Sequence, residues 1–345
     1  MKKAIILLVF LSGCTGMTGD QAAEMMGGPS RSIPRLMDGL SDGRAVVCFS
    51  DGYTREVKLI DPKTGHGENL DIGSGENFVL AIRVGWGDTI FVATQEQGHI
   101  KLHKFTPQGV PRGKHVLKDA EIFVDFLVAK SEHPTGSEIL TLNMAGPMCT
   151  SFDGTGKPRW SAGPSTPPEG PYLYAYVAVA PATGKLLVIP QALRSNCADC
   201  PNYIEGPIRV YGLIGGETTP SDSFPFLGEI DLSPIIGDAD AATALAARGD
   251  GYSCAYLFMS LTEFDEENER VKVSHALVKV DPSTDPRKYE VVRTDEYEEL
   301  YWGEDGRLYD KEGNLKPAIT CAAIKDQKLF LAYGDGHVEV CEIGE

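Results

Sequence analysis

The chain has 345 residues, of which 42% are hydrophobic, so it is long enough to bury the core of one large β domain or two smaller ones. Its 49 Asp and Glu residues against 32 Lys and Arg residues give a formal net charge of -17 at pH 7. Such an acidic chain repels polyanions, which argues against binding to nucleic acid or to anionic lipid headgroups.

The N-terminus combines a short basic region, an apolar run and two small residues. Lys2 and Lys3 precede the apolar run Ala4–Leu11, and a Ser-Gly pair then leads to Cys14. This order resembles a bacterial lipoprotein signal peptide with Leu11–Cys14 as its lipobox. The resemblance implies cleavage before Cys14, a diacylglycerol on its thiol and an acylated amine. The apolar run is too short to span a bilayer, which argues against a membrane helix.

Several acyl chains on Cys14 would hold the protein to a membrane stably, whereas a single chain binds only marginally. Thr15 follows the cysteine, where lipoproteins retained in the inner membrane commonly carry Asp. We therefore expect the protein to be lipid-anchored in the cell envelope, at the outer membrane. The sequence leaves two alternatives for its location, the periplasmic face and the surface face of that membrane. The predicted organisation is a signal peptide over residues 1–13, a lipidated cysteine and flexible tether over residues 14–35, and a globular domain over residues 36–345.

The rest of the chain shows short segments of alternating polar and apolar residues separated by turns, which is typical of β-strands. The sequence shows no βαβ pattern, so a parallel α/β sheet is not expected. The strands group into six successive antiparallel units, which span residues 44–72, 78–117, 122–160, 172–213, 241–293 and 319–342. Residues 298–315 form either an extra hairpin or a seventh, stunted unit.

The units share one type of turn, which is clearest at Phe152–Trp160. The Asp153 carboxylate can accept hydrogen bonds from backbone amides two residues on, and Gly tolerates the positive φ of a tight turn. Related turns are predicted after four other strand ends, namely Asp61, Thr106, Asp281 and Asp310. The anchors Asp61, Thr106 and Asp153 are roughly 45 residues apart, which is the period expected when four-stranded sheets follow one another around a propeller axis.

The Asp-x-x-Gly-Lys-x-x-Trp pattern of Asp153–Trp160 is similar to the repeat of quinoprotein-like (PQQ-repeat-type) β-propellers. These include the lipid-anchored propeller of the outer-membrane β-barrel assembly machinery, which has eight blades. The resemblance and the six units predict an all-β chain with a single β-propeller of six four-stranded blades, or seven if residues 298–315 form a blade. The last unit ends after three strands, and residues 32–36 are the candidate for its missing fourth strand.

Cys197 and Cys200 form the sharpest local motif, a Cys-x-x-Cys pair in a predicted loop. Pro201 follows instead of the His of a haem-attachment motif, and no second such pair completes a zinc site. A local disulfide is the favoured interpretation, with unpaired or differently paired thiols, metal binding and redox catalysis as alternatives. His99 and His103 lie roughly 13 Å apart along a strand, too far for one metal ion, and are expected at the surface.

Tyr172, Tyr174 and Tyr176 alternate along a predicted strand, so all three rings should lie on one face. Stacking between neighbouring sheets explains them, and a face that binds a peptide or a glycan is the alternative. The sequence shows no nucleophile elbow, phosphate loop or local catalytic set, so no catalytic residue, metal or cofactor is assigned. We expect a non-enzymatic scaffold that binds other envelope proteins. The alternative is a propeller enzyme, or a binder of a small ligand or glycan, that uses the axial channel.

Overall fold

A computed structural model gives the fold of the chain and describes most of residues 32–343. The gaps within this range are residues 51–54, 74–77, 97, 121–122, 130–137, 144–148, 163–171, 181–184, 193–202, 205, 213–225, 250–253, 266–269, 282–287, 296–297 and 303–307. The described residues form six antiparallel sheets, which we number as blades 1 to 6 in chain order. None of the helices in this part of the chain is long and apolar enough to cross a membrane.

Blades 1 to 3 each contain four strands, and each strand pairs with the next along the chain. Blade 1 consists of β1 (Ile33–Gly39), β2 (Ala45–Ser50), β3 (Arg55–Asp61) and β4 (His66–Asn69). Blade 2 consists of β5 (Phe78–Val84), a 3-10 turn (Trp86–Asp88), β6 (Ile90–Glu96), β7 (His99–Phe105) and β8 (Pro111–Leu117). Blade 3 consists of β9 (Phe123–Ala129), β10 (Glu138–Asn143), β11 (Cys149–Phe152) and β12 (Pro158–Ala162).

Blades 4 to 6 depart from four strands. Blade 4 consists of β13 (Tyr172–Ala180), β14 (Lys185–Ala192), β15 (Tyr203–Ile204), β16 (Ile208–Gly212) and β17 (Phe226–Ile230), followed by the short helix α1 (Ser233–Ile236). Blade 5 consists of β18 (Ala241–Gly249), β19 (Ala255–Asp265), β20 (Arg270–Asp281), β21 (Lys288–Thr294), β22 (Glu298–Trp302) and β23 (Leu308–Tyr309). Blade 6 consists of β24 (Ile319–Lys325), β25 (Lys328–Tyr333) and β26 (Val338–Glu342).

The six blades form a closed ring around one axis. The first strand of each blade contacts the first strand of the next along the series β1, β5, β9, β13, β18 and β24, and β24 contacts β1 again. Each of these innermost strands also pairs with its neighbour through one register shift. A β-bulge of this kind increases the twist of a strand. The architecture confirms the predicted all-β propeller of six blades.

One prediction about the end of the ring is wrong, and one alternative is decided in favour of an extra hairpin. Residues 32–36 do not complete blade 6, because β1 pairs with β2 and is the innermost strand of blade 1. Since β1 begins at Ile33, it also includes the last residues of the predicted tether. Residues 298–315 do not form a seventh blade, because β22 pairs with β20 and β23 pairs with β22 within blade 5. Among the described residues, blade 6 therefore ends with β26.

The predicted turn chemistry is confirmed at Asp153. Its Oδ1 atom accepts hydrogen bonds from the amides of Thr155 at 2.8 Å and Lys157 at 3.1 Å, and Gly156 has a φ of +86°. The side chains at three other predicted anchors bond to amides in the same way, namely Asp61, Thr106 and Asp310. The Asp153 turn also joins two blades, because the Lys118 amide donates to the Gly156 carbonyl at 3.1 Å. The predicted turn after Asp281 lies outside the described residues.

Apolar clusters fill the junctions between neighbouring blades, and each draws on the facing sides of two sheets. The junction of blades 1 and 2 holds Val46, Ile82 and Phe105, and the junction of blades 2 and 3 holds Phe91, Phe126 and Phe152. Similar clusters lie between blades 4 and 5, between blades 5 and 6, and between blades 6 and 1. Burial of these side chains supplies the main driving force for closing the ring.

Candidate functional site

Most of the site residues predicted from the sequence lie outside the residues whose side chains the structure describes. The predicted lipidation site Cys14 and the Cys197 and Cys200 pair fall outside the described residues. Tyr172, Tyr174 and Tyr176 lie on β13, as expected, but the register against β14 shifts between the last two. Such a shift interrupts the period of two on which a shared face depends. The lipid anchor, the disulfide and the tyrosine face therefore stay predictions.

At one end of the axis, a buried carboxylate joins three blades. Asp38 on β1 has a side chain only 2% exposed, and its Oδ1 atom accepts a hydrogen bond from Arg248 of β18 at 2.5 Å. The same oxygen accepts from the Gly39 amide at 2.8 Å, and Oδ2 accepts from the Val84 amide at 2.6 Å. Arg248 also donates to the Val84 carbonyl at 2.7 Å. The carboxylate is thus surrounded by donors from blades 1, 2 and 5.

A second buried ion pair lies beside the first. Arg83 of β5 pairs with Asp125 of β9, and it also donates to the Phe126 carbonyl at 3.2 Å. Burial raises the pKa of Asp125, while the Arg83 guanidinium and the Phe126 amide oppose that rise. Buried charges are tolerated when they are paired and hydrogen-bonded, as both pairs are here. The two ion pairs, Asp38 with Arg248 and Arg83 with Asp125, each connect strands of different blades, so they hold the blades together at the axis.

Three hairpin turns meet above these pairs and connect the last blade to the first two. The hydroxyl of Ser41, in the β1 to β2 turn, donates to Asp326 of blade 6 at 2.5 Å and contacts Asp88 of blade 2 at 2.9 Å. Lys328 donates to the Ser41 carbonyl at 2.9 Å. These bonds and the apolar cluster between blades 6 and 1 join the two ends of the ring, and no strand is exchanged between these blades among the described residues.

A cleft of about 660 Å³ lies between blades 5 and 6. Its apolar wall includes Phe258 and Leu277 of blade 5 and Leu329 and Leu331 of blade 6. We call this opening the blade 5–6 cleft. On one side of it lies β20, a strand of 12 residues, and on the other lies β25, a strand of six.

Two imidazole rings are held against aromatic rings on opposite walls of the cleft. His275 of β20 stacks on Phe258 with ring centroids 5.6 Å apart, and His337 stacks on Tyr333 with centroids 4.0 Å apart. Burial lowers the pKa of His275, while the nearby Asp295 opposes that change. Burial also raises the pKa of Tyr333, and its hydrogen bond to a glutamate adds to this rise. The stacking contacts fix the orientation of both imidazole rings, and both side chains are partly exposed in the cleft.

The charged groups at the rim of the cleft are acidic in excess. Arg293 pairs with Asp295 at 3.0 Å, and Lys316 pairs with Glu298 at 2.9 Å. Glu339 instead accepts the Tyr333 hydroxyl at 2.9 Å, and its side chain is 52% exposed. Beside it, Asp335 contacts His337 at 2.6 Å. The rim therefore presents negative charge next to aromatic and apolar surface.

The cleft is bordered by the outer strand of blade 6. Among the described residues, β26 pairs with β25 alone, so one side of its backbone has no strand partner. Glu339 and Cys341 of this strand and His337 just before it line the cleft, and Val338 packs on the opposite side against blade 1. An unpaired strand edge beside an apolar cleft is an arrangement that can receive an extended polypeptide.

Sequence reasoning missed the cleft and misplaced one histidine. The lining side chains come from nine strands, β18 to β26, and from the segments between them, and no local motif marks them. His99 is exposed as predicted, but His103 is buried and its Nε2 atom lies 3.0 Å from the Thr94 hydroxyl. Within the described residues, no group of three or more His, Cys, Asp and Glu side chains is placed to hold a metal ion.

Comparisons with known proteins find propellers at low similarity. No protein-family model matches the chain, and no curated protein matches it. A streptogramin B lyase is 12% identical with a TM-score of 0.45, over 91% of this chain and 95% of that one. A periplasmic gluconolactonase of Pseudomonas aeruginosa is 12% identical with a TM-score of 0.41, over 92% and 91%. TolB from Acinetobacter baumannii is 10% identical with a TM-score of 0.42, over 78% and 56%. Likeness at this level carries no information about activity.

Proposed function

We propose that this protein is a lipoprotein, anchored through Cys14 in the bacterial outer membrane, whose propeller binds partner proteins of the cell envelope. The observation that carries the proposal is the blade 5–6 cleft, because it joins an apolar wall to a strand edge without a described partner. The sequence supports the location, since the basic, apolar and small-residue order before Cys14 resembles a lipoprotein signal. The cleft is the binding face in this proposal, and the axis is a structural element.

The shape of the cleft favours a polypeptide partner. A volume of about 660 Å³ is also within the range of small-molecule sites. However, Glu339 and Cys341 of the edge strand β26 line the cleft, whereas a small ligand is usually held in an enclosed pocket with a few converging polar groups. A bound polypeptide that places one or two side chains in the cleft and its backbone along the edge of β26 would use both the apolar wall and the unpaired strand edge. The paired charges at the rim would then fix orientation.

The charged pairs on the axis make the axial alternative weaker. Asp38, Arg248, Arg83 and Asp125 already satisfy one another, so a ligand at this end would have to break buried ion pairs. Breaking a buried pair costs about 3 to 5 kcal/mol. A ligand that enters the blade 5–6 cleft breaks no bond of that kind.

The anchor is tested by metabolic labelling with an alkyne fatty acid in cells that express the full chain. The Cys14→Ser variant should lose the label and remain uncut, and the matched Cys341→Ser variant should keep it. Membrane fractionation of the same cells should place the labelled protein in the outer membrane. Label that persists in Cys14→Ser would overturn the lipid anchor.

The binding face is tested by photocrosslinking in intact cells. Benzoylphenylalanine replaces Glu298, which lies on the rim of the cleft, or, as a control, Thr64, which lies in the exposed turn between β3 and β4. We expect one defined envelope protein to be captured from position 298 and not from position 64. Equal capture from both positions, or no capture from position 298, would contradict binding at the cleft.

A further inference from the structure

The hydrogen-bonding pattern of β26 determines which of its backbone groups are available. The Tyr333 amide donates to the His337 carbonyl at 3.0 Å, and the Ile343 amide donates to the Gln327 carbonyl at 2.7 Å. Because antiparallel partners alternate, the odd residues of β26 face β25 and the even residues face away from it. Val338, Val340 and Glu342 therefore direct their N–H and C=O groups toward the open side.

We propose that a partner protein adds a short, basic, extended segment to this open side and so becomes the fourth strand of blade 6. The inference rests on the proposed function, because it specifies how a partner would occupy the blade 5–6 cleft. Strand addition supplies main-chain hydrogen bonds for affinity, and the alternate side chains of the added segment give specificity.

The other blades show what kind of segment fits this position. The fourth strands of blades 1 and 2 are β4 and β8, with four and seven residues. All four residues of β4 are exposed, and five of the seven residues of β8 are exposed. A fourth strand in this propeller is therefore short and largely solvated, and it does not need a continuous apolar face. β8 itself carries Arg112, Lys114 and His115.

Charge at the edge selects a basic segment. Glu339 and Glu342 are both exposed on β26, and Asp335 lies in the turn that precedes it. The single cation opposite them in the sheet is Lys328, which pairs in register with Glu342. Across an antiparallel pair, opposite charges directly facing each other stabilise the sheet and like charges destabilise it. Lys or Arg beside Glu339 would place its stem along the apolar wall and its charge at the acidic rim.

The alternation of β26 defines the pattern of the added segment. Glu339 and Cys341 point toward the cleft, whereas Val338 and Val340 pack on the side of blade 1. A segment that alternates basic and β-branched residues would match the acidic side with its basic residues and the apolar side with its Val or Ile residues. Runs of acidic residues, or a proline in the middle of the segment, would not match.

The experiment measures binding of three seven-residue peptides, of about the length of β8, to the purified full chain by fluorescence anisotropy. The probes are Lys-Val-Lys-Val-Lys-Val-Lys, the same peptide with Glu in place of Lys, and the Lys peptide with Pro at its centre. We expect the Lys peptide to bind at least about tenfold more tightly than either of the others, and to weaken as salt rises. Equal binding of all three, or no binding of the Lys peptide, would overturn the proposal.

A pair of variants at one edge position separates strand addition from adsorption to an acidic surface. Val340→Pro removes the outward amide but no hydrogen bond to β25, and an edge strand tolerates Pro at such a position. Val340→Thr keeps the amide. We expect the Pro variant to lose at least about tenfold in affinity and the Thr variant to stay within about twofold. Unchanged binding in Val340→Pro would show that the edge is not used.

Charge reversal gives a readout that a folding defect cannot imitate. Glu339→Lys should weaken binding of the Lys peptide and strengthen binding of the Glu peptide, because Glu339 lies on the cleft face that the basic residues would occupy. A misfolded edge would instead lose both peptides. In addition, benzoylphenylalanine at Glu342 in the full chain should crosslink to the Lys peptide. A crosslink to residues 15–31 of the same chain, or to a second copy, would assign the edge to that occupant and overturn a partner segment.

The two proposals can fail separately. Peptide binding in solution needs neither the lipid anchor nor a native partner, so it survives if the cellular crosslink from position 298 fails. In the opposite case, a specific cellular crosslink without any peptide binding would keep the cleft as the binding face and remove strand addition.

Discussion

The two faces of blade 6 are formed by the same three strands but differ in how they are packed. The face toward blade 1 is closed by an apolar cluster in which Phe330 is fully buried, and Gly39 lies so close to this ring that a Cβ atom there would overlap it. The face toward blade 5 is packed only near the axis and opens outward into the cleft. Adjacent residues of β25 point to the two faces, so one strand both closes the ring and borders the opening.

The largest expected effect comes from truncating β25 on its closed face. Phe330→Ala should lower the free energy of unfolding by about 3 to 5 kcal/mol, because it leaves a cavity in a fully buried cluster. Leu331→Ala, the next residue on the open face, should cost about 2 kcal/mol, since the cleft can admit water and relax. Urea unfolding of both variants measures the difference. Equal losses would contradict the contrast between the two faces.

The axial ion pair should matter more than an ion pair at the rim of the cleft. Arg248→Ala leaves the buried carboxylate of Asp38 without its charged partner, so we expect a loss of about 3 kcal/mol. Arg293→Ala removes an arginine whose side chain is 52% exposed, and its pair with Asp295 should contribute less than about 1 kcal/mol. Chemical denaturation of the two variants tests this, and similar losses would be inconsistent with a structural role for the axial pair.

Acid should destabilise the open side through His275. Burial lowers the pKa of this imidazole in the folded protein, while the unfolded value is about 6.5. The folded state therefore binds fewer protons, so the stabilisation is complete above about pH 6.5 and is lost as the pH falls through the lowered folded pKa. The pKa of His103 is lowered by burial as well, so His103 also contributes to the loss of stability in acid.

The contribution of His275 is isolated by comparing two proteins between about pH 7.5 and pH 5.5. The wild type should lose more stability over this interval than His275→Gln, which has no ionisable group at that position. Parallel losses in the two proteins would show that the cleft histidine does not titrate with folding.

The smallest effect on stability is expected at Tyr333. Its hydroxyl donates to Glu339 at 2.9 Å on the open side, so Tyr333→Phe should change the free energy of unfolding by less than about 0.5 kcal/mol. The same variant frees Glu339 to meet a basic ligand, so binding of the Lys peptide should rise. A large loss of stability would mean that the open face is structural after all.

Local chemistry explains what could be predicted from the sequence. The turns after Asp61, Thr106, Asp153 and Asp310 depend on a side chain that bonds to amides two residues on, so a few letters suffice to identify them. Their spacing then predicts successive sheets. The number of blades follows from the same local units, once β22 and β23 are assigned to blade 5.

The closure of the ring and the cleft depend on contacts between distant residues. Asp38 on β1 pairs with Arg248, 210 positions away, and this commits β1 to the axis of blade 1 instead of the edge of blade 6. Nothing within Ile33–Gly39 marks that choice, since the segment contains Pro34 and has no clear alternation. The cleft is equally non-local, because its lining residues are spread from Ala241 to Cys341.

The most direct test of the central claim is residue-resolved hydrogen exchange of β26 in the free, full-length protein. We expect the amides of Val340 and Glu342, which face away from β25, to exchange rapidly, and those of Glu339 and Cys341, which face β25, to be protected. Adding the Lys peptide should slow the first pair. Protection of Val340 and Glu342 in the free protein would show that the edge is already covered, and would contradict a binding face there.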